Sequence, residues 1–294
     1  MGTDIVVREQ KRAGVVLPVG PYDVESALDT LASALYYLDK SRIIVVVDDT
    51  GSHTGFGERA REMSPDITIL PAPPHALGGL GGLWVKIAAG YDWLLKRYDP
   101  DIILRLDADA LIIGTGIEDR AVEEFTKDRQ VGLLGSYRIS ADGSVRDWSW
   151  PARRLRIEAG LRGFRYPSRR MRLREFIRLA RNNSYIDGEH ALGGSYIHSG
   201  MAADDIYAKG WFKDQSFATS KLGEDHIMAL ITLAAGYHLA DFGRPEDPMA
   251  LRWRGLPSHP NELLDNKKLV THSVKSWDIL KEPEIRSIFR AARV

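Results

Sequence analysis

The chain has 294 residues, 44% of them hydrophobic, 27% charged and 9% aromatic, with 40 Lys+Arg balanced by 40 Asp+Glu. That length and balance suit one large α/β domain or two small ones, and they exclude disorder, collagen and coiled coil. With no Cys, a disulfide framework, a thiolate nucleophile and a Cys-based zinc site are excluded, and a reducing compartment is compatible.

The longest clean apolar runs are of the order of Ile43 to Val47, far short of the roughly 20 residues that span a bilayer. Asp4, Arg8, Glu9, Lys11 and Arg12 leave the N-terminus without a signal-peptide stretch. A cytoplasmic enzyme with no transmembrane segment is the expectation. Ala13 to Val19 reads as a first strand, and Val24, Leu28, Leu31, Leu35 and Leu38 recur at helical spacing. Arg42 to Val47 is a β-branched strand closing on Asp48-Asp49, followed by a short helix over Phe56–Met63 and a third strand over 66–70. Pro71 to Gly82, rich in Pro and Gly, reads as a loop, and Leu83 to Arg97 again carries a helical apolar face. Asp101 to Leu106 is a buried strand ending in Asp107-Ala108-Asp109, and Val131 to Gly135 is another. Such alternation predicts right-handed βαβ units and a mostly parallel sheet covered by helices. Residues 141–190 break the regularity with Trp148, Trp150 and many Arg, before a strand over 193–199 and helical segments near 202–211 and 224–235.

Asp107-Ala108-Asp109 is the most informative triplet. Carboxylates two apart at a strand end share one side of the backbone, and hard oxygen ligands at that spacing suit Mg²⁺ or Mn²⁺ with a diphosphate. Ligands of open α/β sheets bind beyond the carboxyl ends of the strands, where this triplet falls. The other reading is a solvated turn. Asp99-Pro100-Asp101 has the same spacing but precedes its strand, on the wrong edge. The Gly78–Gly82 run before a helix suits either a phosphate cradle or a hinge, with Lys86 one turn into that helix.

Taken in order, these segments resemble GT-A-fold glycosyltransferases, which use nucleotide-sugar donors and carry an Asp-x-Asp after a strand like DPDIILRLDADALIIG (99–114). VVLPVGPY (15–22) is similar to the family's first strand and loop, so the resemblance assigns Pro18, Val19, Gly20 and Tyr22 to the nucleoside. VVVDD (45–49) resembles the second strand, whose acid, Asp48, would contact base or ribose. GEDH (223–226) looks like the acidic motif near the acceptor, making Glu224 and Asp225 the catalytic candidates, with Asp225 as general base. THSVKSW (271–277) is similar to the C-terminal element that completes the metal site, so His272 would join Asp107 and Asp109 on Mn²⁺ or Mg²⁺. Lys275 would face the diphosphate and Asp107 the ribose or a metal-bound water. GGSYIHSG (193–200) resembles a segment lining the donor sugar, placing His198 and Ser199 on its hydroxyls.

The resemblance implies a GT-A-like, Rossmann-type α/β fold with an Arg-rich helical insert. One domain over 1–294 would divide into a nucleotide-binding half (13–135), an insert or lid (141–190) and an acceptor and metal-completing half (191–277). The expected activity is metal-dependent transfer of a sugar, from a UDP-sugar by the family's commonest base, to an acceptor hydroxyl. Inverting and retaining courses both remain open. A sugar-phosphate nucleotidyltransferase is the alternative enzyme, disfavoured because the first loop lacks a basic residue. An Arg-rich module for anionic partners is the non-enzymatic alternative, and nucleic acid is disfavoured because no RNA-binding aromatic signature interleaves the Arg. The neutral total conceals segregation. Residues 146–181 hold 12 Arg, no Lys and three acids, a net of +9, and the remainder carries −9. Such an insert suits a solvated face, an anionic acceptor, a peripheral membrane surface or a partner chain.

Overall fold

A computed structural model describes residues 8–74 and 80–293. The elements follow the expected alternation. Strand β1 (Glu9–Val19), α1 (Val24–Tyr37), β2 (Arg42–Asp48), α2 (Phe56–Met63), β3 (Ile67–Pro71), α3 (Leu80–Leu95) and β4 (Tyr98–Leu106) build the first half. Then come β5 (Ala110–Ile112), α4 (Ile117–Lys127), β6 (Val131–Gly135), α5 (Ser149–Ala159), α6 (Pro167–Arg181), β7 (Ser195–Ser199) and α7 (Gly200–Ala208). The chain closes with α8 (Glu224–Ala234), β8 (His238–Asp241), β9 (Met249–Leu251), α9 (Pro260–Asp265), β10 (Val270–His272), a small hairpin of β11 (Ser276–Trp277) and β12 (Leu280–Lys281), and α10 (Glu282–Ala291).

The main sheet has seven strands in the order β3-β2-β1-β4-β7-β6-β8. All its pairings are parallel except those of β7, which runs antiparallel to both β4 and β6. Its strands are apolar on both sides because both faces are covered. Val15 and Leu17 pack with Leu31 of α1, whereas Val16 between them packs with Tyr91 and Leu94 of α3. The pair Asp99 and Asp101 lies inside the first residues of β4 rather than before it, and Asp101 binds Gln10 and Arg12 there.

Chain order reverses between β1 and β4, since β2 and β3 lie on one side and the later strands on the other. The β1–β4 ladder ends at Val16 and Arg105, so the strands part beyond it and open a crevice at their carboxyl ends. A second sheet, β5-β10-β9, stands beside that crevice and brings His272 alongside Ala110. No helix among the described residues is long and apolar enough to cross a membrane.

Candidate functional site

Asp107 and Asp109 leave the end of β4 in a turn held from three sides. The Ala108 carbonyl accepts from Arg286 Nη2 of α10 at 2.8 Å, and the Thr30 hydroxyl lies 2.8 Å from both the Ala108 and Ala110 carbonyl oxygens. Asp107 N–H donates to the Gly194 carbonyl at 2.8 Å. Each carboxylate has one oxygen engaged by the protein. Arg105 Nη2 sits 2.7 Å from Asp107 Oδ1, and the Ser273 hydroxyl donates to Asp109 Oδ2 at 2.6 Å.

The other two oxygens face His272. Its Nε2 is 3.3 Å from Asp109 Oδ1 and 3.9 Å from Asp107 Oδ2. His272 Nδ1 lies 2.9 Å from the Arg252 carbonyl, an acceptor only, so Nδ1 donates there and Nε2 is the nitrogen turned to the carboxylates. One imidazole nitrogen and two carboxylate oxygens thus converge within 4.8 Å. Orientation of a ligating His through its other ring nitrogen is the usual companion of a metal site. The donor set fits a divalent cation such as Mn²⁺, with protein ligands too few to close its shell. Burial opposes ionisation of Asp109, but His272, Ser273 and Lys275 outweigh it and hold the carboxyl well below the usual range.

Gly193 and Gly194 connect this triad to a second group. A Cβ on Gly194, whose φ is +93°, would lie 2.4 Å from the His272 ring. Only glycine accepts both that backbone and that contact. The neighbouring Gly193 N–H donates to Asp225 Oδ2 at 3.0 Å. The close approach that these glycines permit is to His272 and Asp225.

Asp225 is tied at both oxygens. Oδ1 accepts from His226 N–H at 2.9 Å and lies 2.7 Å from His226 Nδ1. Its burial disfavours charge, yet His226 and Arg146 more than compensate and hold the carboxyl well below the ordinary value. His190, Asp225 and His226 also gather ligand atoms within 4.8 Å. A guanidinium can only donate, so Arg146 Nη2, 2.8 Å away, occupies the lone pair of His190 Nε2. This second cluster is therefore a brace for Asp225.

Glu224 is 2% exposed. Arg105 Nη2 lies 2.7 Å from its Oε1, and the Tyr196 hydroxyl donates to its Oε2 at 2.9 Å. Burial pushes its carboxyl up to about 8 despite that arginine. Arg105, itself 0% exposed, bridges Glu224 to Asp107, and its Nε and Nη1 meet no acceptor. The sequence reading missed Arg105. It interrupts an apolar run at a position that shares the side of Asp107, and that parity was the available signal.

These groups line one cavity of about 570 Å³, together with Leu83, Gly223, Lys275 and the exposed Trp253. An adjoining cavity of about 250 Å³ is lined by Pro18, Val19, Gly20, Lys86, Asp107, Asp109 and Lys275. The loop after β1 and both predicted lysines therefore reach the carboxylates. Lys275 Nζ stands 3.6 Å from Asp109 Oδ2, and Lys86 Nζ pairs with Asp49 at 2.5 Å.

Other expected contacts lie elsewhere. Tyr22 points to solvent, 98% exposed, and lines neither cavity. Asp48 accepts from the Thr50 amide and hydroxyl at 2.8 and 2.7 Å, closing a turn. His198 and Ser199, expected on sugar hydroxyls, line neither cavity. His198 is fully buried between Tyr91 and Tyr196 and bonds Thr232 at 2.8 Å, while Ser199 caps α7. Because β7 runs antiparallel to β4, its far end is carried to the start of β4, away from the crevice. Gly78 and Gly79 lie outside the described residues. Gly81 is inside α3, where a Cβ would meet the Phe217 and Ala218 carbonyls, so it serves packing. Trp148 stacks on Tyr137 with centroids 5.5 Å apart, whereas Trp150 stays half exposed, 6.3 Å from the His226 ring.

The molecule is thus a doubly wound α/β protein with an acid-lined cavity at its switch point. No protein-family model matches the chain, and no curated protein matches it in sequence. Among solved structures it is similar to WbbM, a bifunctional glycosyltransferase in its apo form, at 10% identity and a TM-score of 0.48, over 96% of this chain and 50% of that one. It is also similar to an active-site mutant of LgtC, at 11% identity and a TM-score of 0.49, covering 95% and 94% of the two chains. A complex of the galactosyltransferase LgtC with donor and acceptor sugar analogues gives 13% identity and 0.46, over 95% of each chain. The chain spans about half the length of WbbM. At these scores the likeness is loose, and the functional reading rests on the site.

Proposed function

We propose that the protein is a GT-A-type glycosyltransferase moving a sugar from a nucleotide-sugar donor, a UDP-sugar by preference, to an acceptor hydroxyl. The carrying observation is the triad: three ligand atoms converge while the remaining atoms of the same side chains are each held by the protein. Asp107 Oδ2, Asp109 Oδ1 and His272 Nε2 would hold Mn²⁺ or Mg²⁺. Such an ion, when bound, offsets the charge that grows on a leaving diphosphate.

The chain's own residues supply the rest. Lys275 and Lys86 line the smaller cavity, where a diphosphate would meet their charge beside the carboxylates. Pro18, Val19 and Gly20 give that cavity an apolar wall for a nucleoside. Arg105 holds Asp107 in place and offers unpartnered donors to a ligand. Glu224 positions Arg105 from the buried side.

Asp225 lies on the wall beyond the triad, and we assign it to orienting the acceptor rather than to removing its proton. Both of its oxygens already accept backbone N–H groups, from Gly193 and His226, which leaves the carboxylate fixed in place. Melting the protein with Mn²⁺ and UDP tests the reading. The pair together should raise Tm by several degrees and neither alone should do so. No shift with UDP or GDP, on either Mn²⁺ or Mg²⁺, would refute it.

A further inference from the structure

The arginines of residues 146–181 divide into two groups. Arg146 is half-buried and bonded to backbone, while Arg169, Arg172 and Arg181 pair with Glu158, Asp214 with Glu175, and Asp187. The other eight of the 12 meet no carboxylate within 4.0 Å among the described residues. Six of those eight are exposed. Most of the arginine charge without a carboxylate partner thus sits at exposed positions.

These arginines surround apolar side chains that nothing among the described residues covers. Helix α6 buries Leu173, Phe176 and Ala180 and turns Arg170, Met171, Arg174 and Arg178 to the opposite side. There it forms a groove of about 800 Å³ with the end of α5, and Arg156 and Leu161 continue that groove into a neighbouring hollow beside Arg153 and Arg162. Leu161 is 80% exposed, Met171 67% and Phe164 60%. Arg170 lies 4.0 Å over the Phe164 ring. The two acids that reach the groove, Glu175 and Asp187, are already paired with Arg172 and Arg181.

We infer that this face docks on an anionic membrane surface. Arginine attracts acidic headgroups, and Leu161, Phe164 and Met171 would sink into the headgroup boundary between them. A soluble polyanion rewards the charge but not exposed Leu and Met, so the mixture favours a bilayer. The purpose of docking rests on the transferase reading. Helix α5 begins at Ser149, with Trp150 in its first turn 6.3 Å from the His226 ring, and ends at this face, a run of 11 residues or about 16 Å. A membrane held there would carry its own acceptor headgroups toward Asp225.

Cosedimentation of the full chain with vesicles tests docking without any nucleotide, so its failure is separate from failure of the transferase reading. Vesicles of phosphatidylcholine with about 30% phosphatidylglycerol should bind the protein, and pure phosphatidylcholine should not. Binding should weaken steeply as salt rises and the Debye length falls below about 10 Å. Changing Arg170, Arg174 and Arg178 together to Gln should weaken it on the order of a hundredfold, at about fivefold for each charge. Leu161→Ser with Phe164→Ser should also weaken it severalfold, while the Mn²⁺–UDP melting shift stays as in wild type. Equal binding to neutral vesicles, or full binding by the triple variant, would overturn the inference. So would vesicle binding indifferent to the Ser pair and matched by heparin, which would mark a soluble-polyanion site.

Discussion

Asp109 makes one side chain serve two neighbours: Oδ2 receives the Ser273 hydroxyl and Oδ1 faces His272 Nε2. Asp109→Ala should therefore abolish cation-dependent nucleotide binding in calorimetry. Retained affinity would remove Asp109 from the ligand set. Gly194 makes a different kind of demand. At φ +93° a side chain costs about 1–3 kcal/mol in backbone strain alone. The added methyl also overlaps the His272 ring at 2.4 Å. Gly194→Ala should lower Tm and remove the Mn²⁺–UDP shift together, and a variant that keeps the shift would show that His272 had not moved. Arg105 shows why residue identity alone was insufficient in the sequence. An arginine in an apolar strand reads as a rim residue until Glu224, 119 positions away, is seen to face it at 2.7 Å.

At the level of elements, periodicity carried most of the information. The bounds of α2 and β6 are those read from the sequence, and β2 differs by one residue. Helix α2 announces itself by apolar residues at helical spacing, and β2 and β6 by short continuous apolar runs bounded by polar residues. The direction of β7 was not legible, because nothing local distinguishes an antiparallel from a parallel buried strand. That single reversal moved His198 from an expected sugar contact into the core between β7 and α8. Its Nε2 bonds Thr232, whose hydroxyl also donates to the Met228 carbonyl at 2.8 Å, so His198 must be the donor to Thr232. Burial pushes its pKa down to about 3 from 6.5. An unfolded chain then binds a proton near pH 6.5 that the folded chain refuses until about pH 3. Stability is thus unaffected above that window and falls as pH drops through it. Urea unfolding between pH 7 and 4 should show that loss, and His198→Phe should make it shallower. Equal acid sensitivity in both proteins would refute the assignment.

Across the whole molecule, a balanced total charge separates into an insert of net +9 and a remainder of net −9, a division visible in the sequence as a count and in the structure as an exposed basic face. The order of the motifs along the chain was legible, but their convergence was not, because it is made by elements far apart in sequence. Asp107 and Asp109 stand at the end of β4, whereas His272 and Ser273 arrive with β10 and Arg286 with α10. All seven strands of the main sheet are complete by Asp241. A chain emerging from the ribosome therefore has every strand of its scaffold before it has its site. The carboxylates wait without their imidazole, their Ser273 bond or the arginine that steadies their turn. A nascent chain halted before Val270 would be able to resist proteolysis through its sheet and yet remain blind to nucleotide and cation. The segment that begins at Val270 thus acts as a latch on the site, which stays open until β10 and α10 are in place.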